Sequence, residues 1–278
     1  MVRGSEGSRC FAPTISTVKI MKRIMIKIAY DGTNYNGWQT GDKTNGIEDI
    51  LNTKISKLTN EDIKIIGTSR TDSGVHANCN IAVFDSNSDI RPDKYSYAIN
   101  NLLPDDISIL ESKEVPLDFN PRKAKTRKTY IYRIHNSKIR NPLKEHFAHH
   151  VYYDIDIDRM ILASKYLIGT HDFKSFINPE SQIIQFANEV GINDEGITTR
   201  EIYSIDIKKI EDIIEIQIIG NGFLYHMVRI IVGTLLKIGM KMWEPDYIKE
   251  IMDKKDRKFA GFTLPAKGLT LENIEFIE

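Results

Sequence analysis

The sequence predicts an α+β fold in which a split βαββαβ unit, the ferredoxin-like arrangement, occurs twice. Three observations carry this expectation. Period-two apolar runs mark strands at Ile24, Ile26 and Ile28 and again at Ile214, Ile216 and Ile218. Stretches with helical apolar spacing separate such runs. The order of elements before residue 118 repeats after it. Two antiparallel sheets with helices on one side would bury enough apolar surface for a chain of 278 residues.

In the first unit the strand from Ile24 to Ile28 ends at Asp31-Gly32. Ile47, Ile50, Leu51, Ile55 and Leu58 fall on one face of a helix. Ile63 to Ile66 and Asn80 to Phe84 read as strands. Pro92 opens a helix carrying Tyr95, Ala98, Ile99 and Leu102, and Pro104 closes it. Ile107, Ile109 and Val115 mark the fourth strand. In the second unit Thr129 to Ile134 is a strand, and a helix starts at Asp156 or Asp158 and ends near Gly169. Ile202, Ile205 and Ile207 form a strand, as do Ile214, Ile216 and Ile218. Tyr225 to Ile238 is a long apolar helix, a short helix begins at Pro245, and Leu269 to Phe276 closes the fold with a strand. The expected division is therefore a disordered tail or cloning remnant over 1–20, one unit over 21–118 and a second over 119–278. The polar segment 178–198, with Gly191 and Gly196, interrupts this grammar and reads as a long functional or mobile loop.

Composition narrows the function. Lys+Arg and Asp+Glu are both 38, so the chain is formally neutral and any nucleic-acid site must be a local patch. Two cysteines, Cys10 and Cys79, cannot build a disulfide framework or a four-ligand zinc site. The histidines show no metal-ligand spacing, and His226 reads as structural along with the others. No stretch approaches the ~18 apolar residues of a membrane helix. A reducing cytoplasm is the expected home, with neither membrane nor metal as partner.

Three local signals stand out. Gly67 to Ala77, Gly-Thr-Ser-Arg-Thr-Asp-Ser-Gly-Val-His-Ala, links two apolar strands with more residues than a hairpin needs. Asp72 there is either a turn residue capping local amides or a rigidly held functional carboxylate, and Arg70 beside it suits an anionic substrate. Next, Arg122, Lys123, Lys125, Arg127, Lys128, Arg133, Lys138 and Arg140 run without an acidic residue and enclose Tyr130 and Tyr132. That is either a solvated strand face or a surface that binds phosphates and stacks an unpaired base. Finally, Arg229 sits inside the apolar stretch Met227 to Gly233. It either snorkels outward or pairs with an anion, for which Asp72 is the attractive partner.

Arg70-Thr71-Asp72-Ser73-Gly74-Val75-His76-Ala77 resembles the Arg-Thr-Asp-Ala-Gly-Val-His-Ala signature of TruA-type tRNA pseudouridine synthases. The resemblance extends over about Met21 to Ile277 through five further pieces. These are Tyr30-Asp31-Gly32 with Gly37-Trp38-Gln39, Lys128 to Tyr132, His171 to Phe176, His226 to Arg229 with Val232-Gly233, and Gly268 to Leu271. Ser69 and Ser73 stand where the family usually has Gly and Ala, and Glu48 replaces a common Gln.

The resemblance implies two ferredoxin-like halves with joined sheets and a central RNA-binding cleft. It implies isomerisation of uridine to pseudouridine at positions 38–40 of the tRNA anticodon stem-loop, by a homodimer and without a cofactor. Asp72 corresponds to the catalytic carboxylate, Arg70 to a residue that displaces the base, and Arg229 to the cation paired with the aspartate. Tyr130 corresponds to the stacking tyrosine and Leu269 to the apolar support opposite it. Arg122, Lys125, Arg127 and Lys128 are the expected RNA-backbone contacts. The rival readings are a non-catalytic RNA-binding module, a glycoside-hydrolase-like enzyme and a duplicated metabolite binder.

Overall fold

The computed structural model describes residues 20–39, 45–182, 185 and 195–277. The expected tail, apart from Ile20, lies outside the described residues, as does much of segment 178–198. The first unit comprises β1 (Lys22–Tyr30), α1 (Ile47–Thr59), β2 (Ile66–Gly67), β3 (His76–Ser86), α2 (Tyr95–Asn100) and β4 (Ile107–Val115). The second begins with β5 (Thr126–Asn136), β6 (His149–Val151), α3 (Ile157–Ser164) and β7 (Gly169–Asp172). It continues with α4 (Glu195–Thr198), β8 (Thr199–Ile210), β9 (Ile213–Gly220), α5 (Met227–Gly239), α6 (Tyr247–Lys254) and β10 (Leu269–Phe276).

The sheets of the two units are joined into one ten-stranded sheet, with the main order β4-β1-β3-β10-β5-β9-β8-β7. The run β4-β1-β3 is extended by β2, which pairs with the same strand at Ala82 and Val83. The run β10-β5-β9-β8 repeats that arrangement. The two meet where β10 lies parallel to β3, with Thr270 opposite His76 and Leu271 opposite Ala77. This short parallel seam brings the loop that precedes β3 next to the start of β10.

Local chemistry explains the elements that frame the seam. Alternate residues of β1 and β9 are buried, as period-two apolar runs demand. Helix α1 buries Ile47, Leu51 and Ile55 one turn apart, with Glu48 and Asp49 in its first turn and Lys57 in its last. It stops at Asn60 in a left-handed conformation. Helix α3 is capped by Asp156, whose side chain accepts from Arg159 N–H. Helix α5 is buried at every position except Arg229 and Lys237, so it runs through the core rather than over it. Among the described residues, no helix is long and apolar enough to cross a membrane.

The strap from Ala260 to Leu264 crosses α5 at its glycine. A Cβ on Gly233 would lie 2.0 Å from Phe262 O. Gly261 N–H donates to Thr234 Oγ1 at 2.9 Å, and Arg229 Nε donates to Leu264 O at 2.7 Å. Gly233 thus sets the approach of the backbone that holds Arg229. Gly233→Ala is expected to destabilise the fold by ~1–3 kcal/mol through overpacking. Urea unfolding reads this as a lower midpoint at unchanged slope. A midpoint equal to the parent's contradicts the crossing.

Candidate active site

The loop from Thr68 to Val75 takes its shape from the residues beneath it. Trp38 N–H donates to Thr71 O at 3.0 Å, and Gly74 N–H to Tyr35 O at 3.3 Å. Tyr30 and Thr71 share a hydroxyl hydrogen bond of 2.8 Å, and Asn80 Nδ2 donates to Ser69 O at 2.9 Å. Gly32 N–H donates to His76 Nδ1 at 3.1 Å. Glycine is required at two of these approaches. A Cβ on Gly32 would lie 2.0 Å from Val75 O, and one on Gly37 (φ +93°) 2.7 Å from Thr71 O. The Tyr30-Asp31-Gly32 and Gly37-Trp38 pieces are therefore the bed of the Asp72 loop.

That bed delivers Asp72 to the first turn of α5. Arg229 Nη1 donates to Asp72 Oδ2 at 3.2 Å. Their side chains are 13% and 17% exposed. A cation in the first turn opposes the helix dipole, whereas an anion there is favoured. The carboxylate across the seam therefore answers two costs, the partly desolvated guanidinium and its unfavourable place in the helix.

Asp72 lines a cleft of about 920 Å³ between the two units, with Arg229 behind it. Tyr130, Leu269 and Phe223 give it apolar walls beside Asp72. Tyr130 meets Phe223 edge-on at 5.2 Å, and its hydroxyl is 3.2 Å from Ser69 Oγ. Burial pushes its phenol up to about 12, so the ring remains neutral. Leu269 pairs with Tyr132 across β10 and β5, two positions along from the Leu271–Tyr130 pair. Arg70 is exposed at the rim of the cleft.

Only part of the basic run faces this cleft. Lys128 shares the face of Tyr130, and Arg122 approaches from the preceding turn, donating to Gly67 O at 3.1 Å. Period two sends Arg127 to the opposite face, where it lies over the Tyr203 ring at 5.3 Å and 3.9 Å from Glu275. Lys125 is exposed and does not line the cleft. Glu48, the departure from the usual Gln, lines the cleft wall 3.9 Å from Arg122, and burial raises its carboxyl.

Three cleft residues carried no such reading in the sequence. Arg200 opens β8 and lines the wall with Lys128. Phe223 lies in the turn between β9 and α5. His226 Nε2 is 3.6 Å from Asp72 Oδ2. The signal available for His226 was its spacing: it precedes Arg229 by three residues and so shares its helix face. Segment 178–198 is not loop throughout. Glu195–Thr198 is a helical turn, and Glu180, Ser181 and Gln182 line the cleft. Among the described residues, no group of three or more His, Cys, Asp or Glu is placed to hold a metal ion.

A family model described as tRNA pseudouridine synthase matches residues 26–122 and 163–276. This chain belongs to that family. The matched spans contain both Asp72 and Arg229, whereas Lys128 and Tyr130 fall between them. The chain is similar to tRNA pseudouridine synthase A of Thermoanaerobacter sp. (strain X514), with 41% identity over 254 residues, 91% of this chain and 99% of the relative. It is also similar to tRNA pseudouridine synthase A 2 of Clostridium tetani, with 42% identity over 255 residues, 91% of this chain and 98% of the relative. A third relative, from Acetivibrio thermocellus, is 40% identical over 256 residues, 92% of this chain and the whole of the relative.

In this family member, Lys128 makes the cleft pH-sensitive. Burial, and then the neighbouring Arg200, pushes its ammonium down to about 8. An unfolded lysine stays charged to about 10.4. Between those values the unfolded chain binds more protons, so stability attributable to this site rises with pH across that window. A phosphate placed at Lys128 favours the charged form and reverses the shift. RNA binding at about pH 9 is therefore expected to take up a proton. Calorimetry in buffers of different ionisation heat measures it, and Lys128→Met is expected to remove it. Uptake that persists in Lys128→Met contradicts the assignment.

Proposed function

We propose that this chain isomerises uridine to pseudouridine at positions 38–40 of the tRNA anticodon stem-loop, with Asp72 as the catalytic carboxylate. The observation that carries this reading is the Asp72 carboxylate, paired with Arg229, at a cleft lined by an aromatic ring and cations. Family membership supplies the reaction class. The glycosidic C–N bond breaks, the uracil turns, and a C–C bond forms from its C5 to the same ribose carbon, C5 losing its proton to solvent and N1 gaining one. Atoms and electrons balance within the nucleotide, with no other substrate consumed.

Each part of the cleft meets one demand of that reaction. The uridine must leave its stack, at a cost of a few kcal/mol. The Tyr130 face offsets part of this by stacking, worth about 1–3 kcal/mol per base. Leu269 supports the base from the side opposite Tyr130. Arg70, at the rim, enters the space the base vacates. Arg122, Lys128 and Arg200 hold phosphates of the flanking backbone; Lys125 and Arg127 contact RNA only beyond the cleft. Addition to the sugar, addition to the ring and removal of a ribose proton all require the same ionised Asp72 oxygen within reach of the nucleotide.

Further parts of the proposal have other grounds: the units divide at 118/119 by the repeated order of elements, the cysteine usage suits the cytoplasm, and the motif resemblance implies a homodimer. A non-catalytic RNA-binding module would need the cationic wall and Tyr130 but would have no use for the part-buried Asp72–Arg229 pair. The direct test is to map pseudouridine in unmodified tRNA incubated with the purified chain. New pseudouridine confined to positions 38–40 is expected. Modification elsewhere contradicts the site assignment, and tight binding without product identifies the binding module.

A further inference from the structure

His226 has no part in the reading above, yet its surroundings fix it closely. It precedes α5 with φ +64°, a left-handed conformation that a non-glycine residue adopts only under constraint. The Tyr225 ring stacks on its imidazole at 3.9 Å and 27°. Asn178 N–H donates to Tyr225 O at 3.2 Å, which pins Asn178 alongside. Asn178 Oδ1 accepts from Glu180 N–H at 3.0 Å. The amide nitrogen is therefore the atom that faces His226 Nδ1, at 3.1 Å. An amide nitrogen can only donate, so Nδ1 accepts and carries no proton. A neutral imidazole then bears its proton on Nε2, the nitrogen that faces Asp72 Oδ2. Arg229 Nη1 addresses that same oxygen. No described residue makes a hydrogen bond to Asp72 Oδ1.

We propose that His226 is a positioning residue, locked by Asn178 as the neutral Nε2–H tautomer. Its N–H and Arg229 together occupy Asp72 Oδ2 and leave Oδ1 as the oxygen that meets the nucleotide. The separation of 3.6 Å is longer than a hydrogen bond, and such contacts tighten when substrate closes a site. The charged and titratable groups facing the imidazole are Asp72, Arg229, Arg257, Glu180 and Tyr225. Burial holds the imidazole below its ordinary range; Arg229 and Arg257 act in the same direction, while Asp72 and Glu180 oppose it. The neutral state the hydrogen bonds require is thus the one the environment favours. The chain Glu180–Asn178–His226–Asp72 ties the start of segment 178–198 to the carboxylate.

The role of Oδ1 rests on the proposed function; the tautomer does not. Long-range proton–nitrogen spectra of the full chain with labelled histidine, without RNA, are expected to show His226 neutral with its proton on Nε2 at neutral pH. Asn178→Asp places a carboxylate oxygen at Nδ1 and is expected to turn His226 into the doubly protonated form. His226→Phe is expected to lower single-turnover pseudouridine formation about tenfold to a hundredfold at unchanged tRNA affinity, the range for a lost hydrogen bond to a charged group. His226→Gln, whose amide nitrogen reaches the same region, is expected to recover part of the loss. A proton on Nδ1 in the parent, or a parental rate in His226→Phe, overturns the proposal. If the parent forms no pseudouridine, the proposed function fails, while the spectra still decide the tautomer.

Discussion

The ion pair between Asp72 and Arg229 is the constraint around which the rest of the molecule is arranged. The two residues are 157 positions apart and lie in different βαββαβ units. Neither charge is well placed alone: the guanidinium sits in the first turn of a buried helix, and the carboxylate lies under a cleft. Removing one partner of such a part-buried pair leaves the other charge uncompensated. The pair forms only if β3 and β10 meet in register, so the sheet seam and the site are specified together. The same arrangement leaves an anionic oxygen at the base of a cleft whose walls offer a ring face and cations. That combination suits a nucleotide drawn out of an RNA strand.

The sequence motifs resolve into two kinds of residue. Asp72, Arg229, Tyr130 and Leu269 face the cleft or its charge pair. Tyr30, Gly32, Gly37 and Trp38 never reach the cleft's reacting end; they shape the loop that carries Asp72. Gly233 and the strap at Phe262 do the same for Arg229. Rigid support of this kind matters because, in the proposed reaction, a carboxylate displaced by an ångström loses its alignment with the nucleotide. The bed under Asp72 is built largely of backbone groups, which move little when side chains repack.

Much of the fold was legible because its strands are long enough to show period two. Ile24, Ile26 and Ile28 announced β1, and Ile214, Ile216 and Ile218 announced β9. Strands β6 and β7 have three and four residues, too few for a period to appear. The strand expected at Ile63–Ile66 pairs only at Ile66 and Gly67, because Ser56 and Asn52 side chains take up the Ile63 and Ile65 amides. The joining of the two sheets came only from the family resemblance, because the seam rests on two paired positions with no composition of their own. Within the site, Arg229 was conspicuous as a cation in an apolar helix. Arg200 and Phe223 were not, since each stands alone in a polar or turn segment. The basic run promised more than the cleft uses, because alternation along β5 turns Arg127 away while Lys128 faces inward.

On the proposed function, the Asp72 carboxylate does chemistry rather than merely balancing Arg229. Asp72→Asn keeps the shape and the hydrogen-bonding capacity while removing the charge. Single-turnover pseudouridine formation, read alongside tRNA affinity in the same preparation, separates the two roles. Retained affinity with no detectable product is expected. Product formation at the parent's rate would contradict the catalytic role.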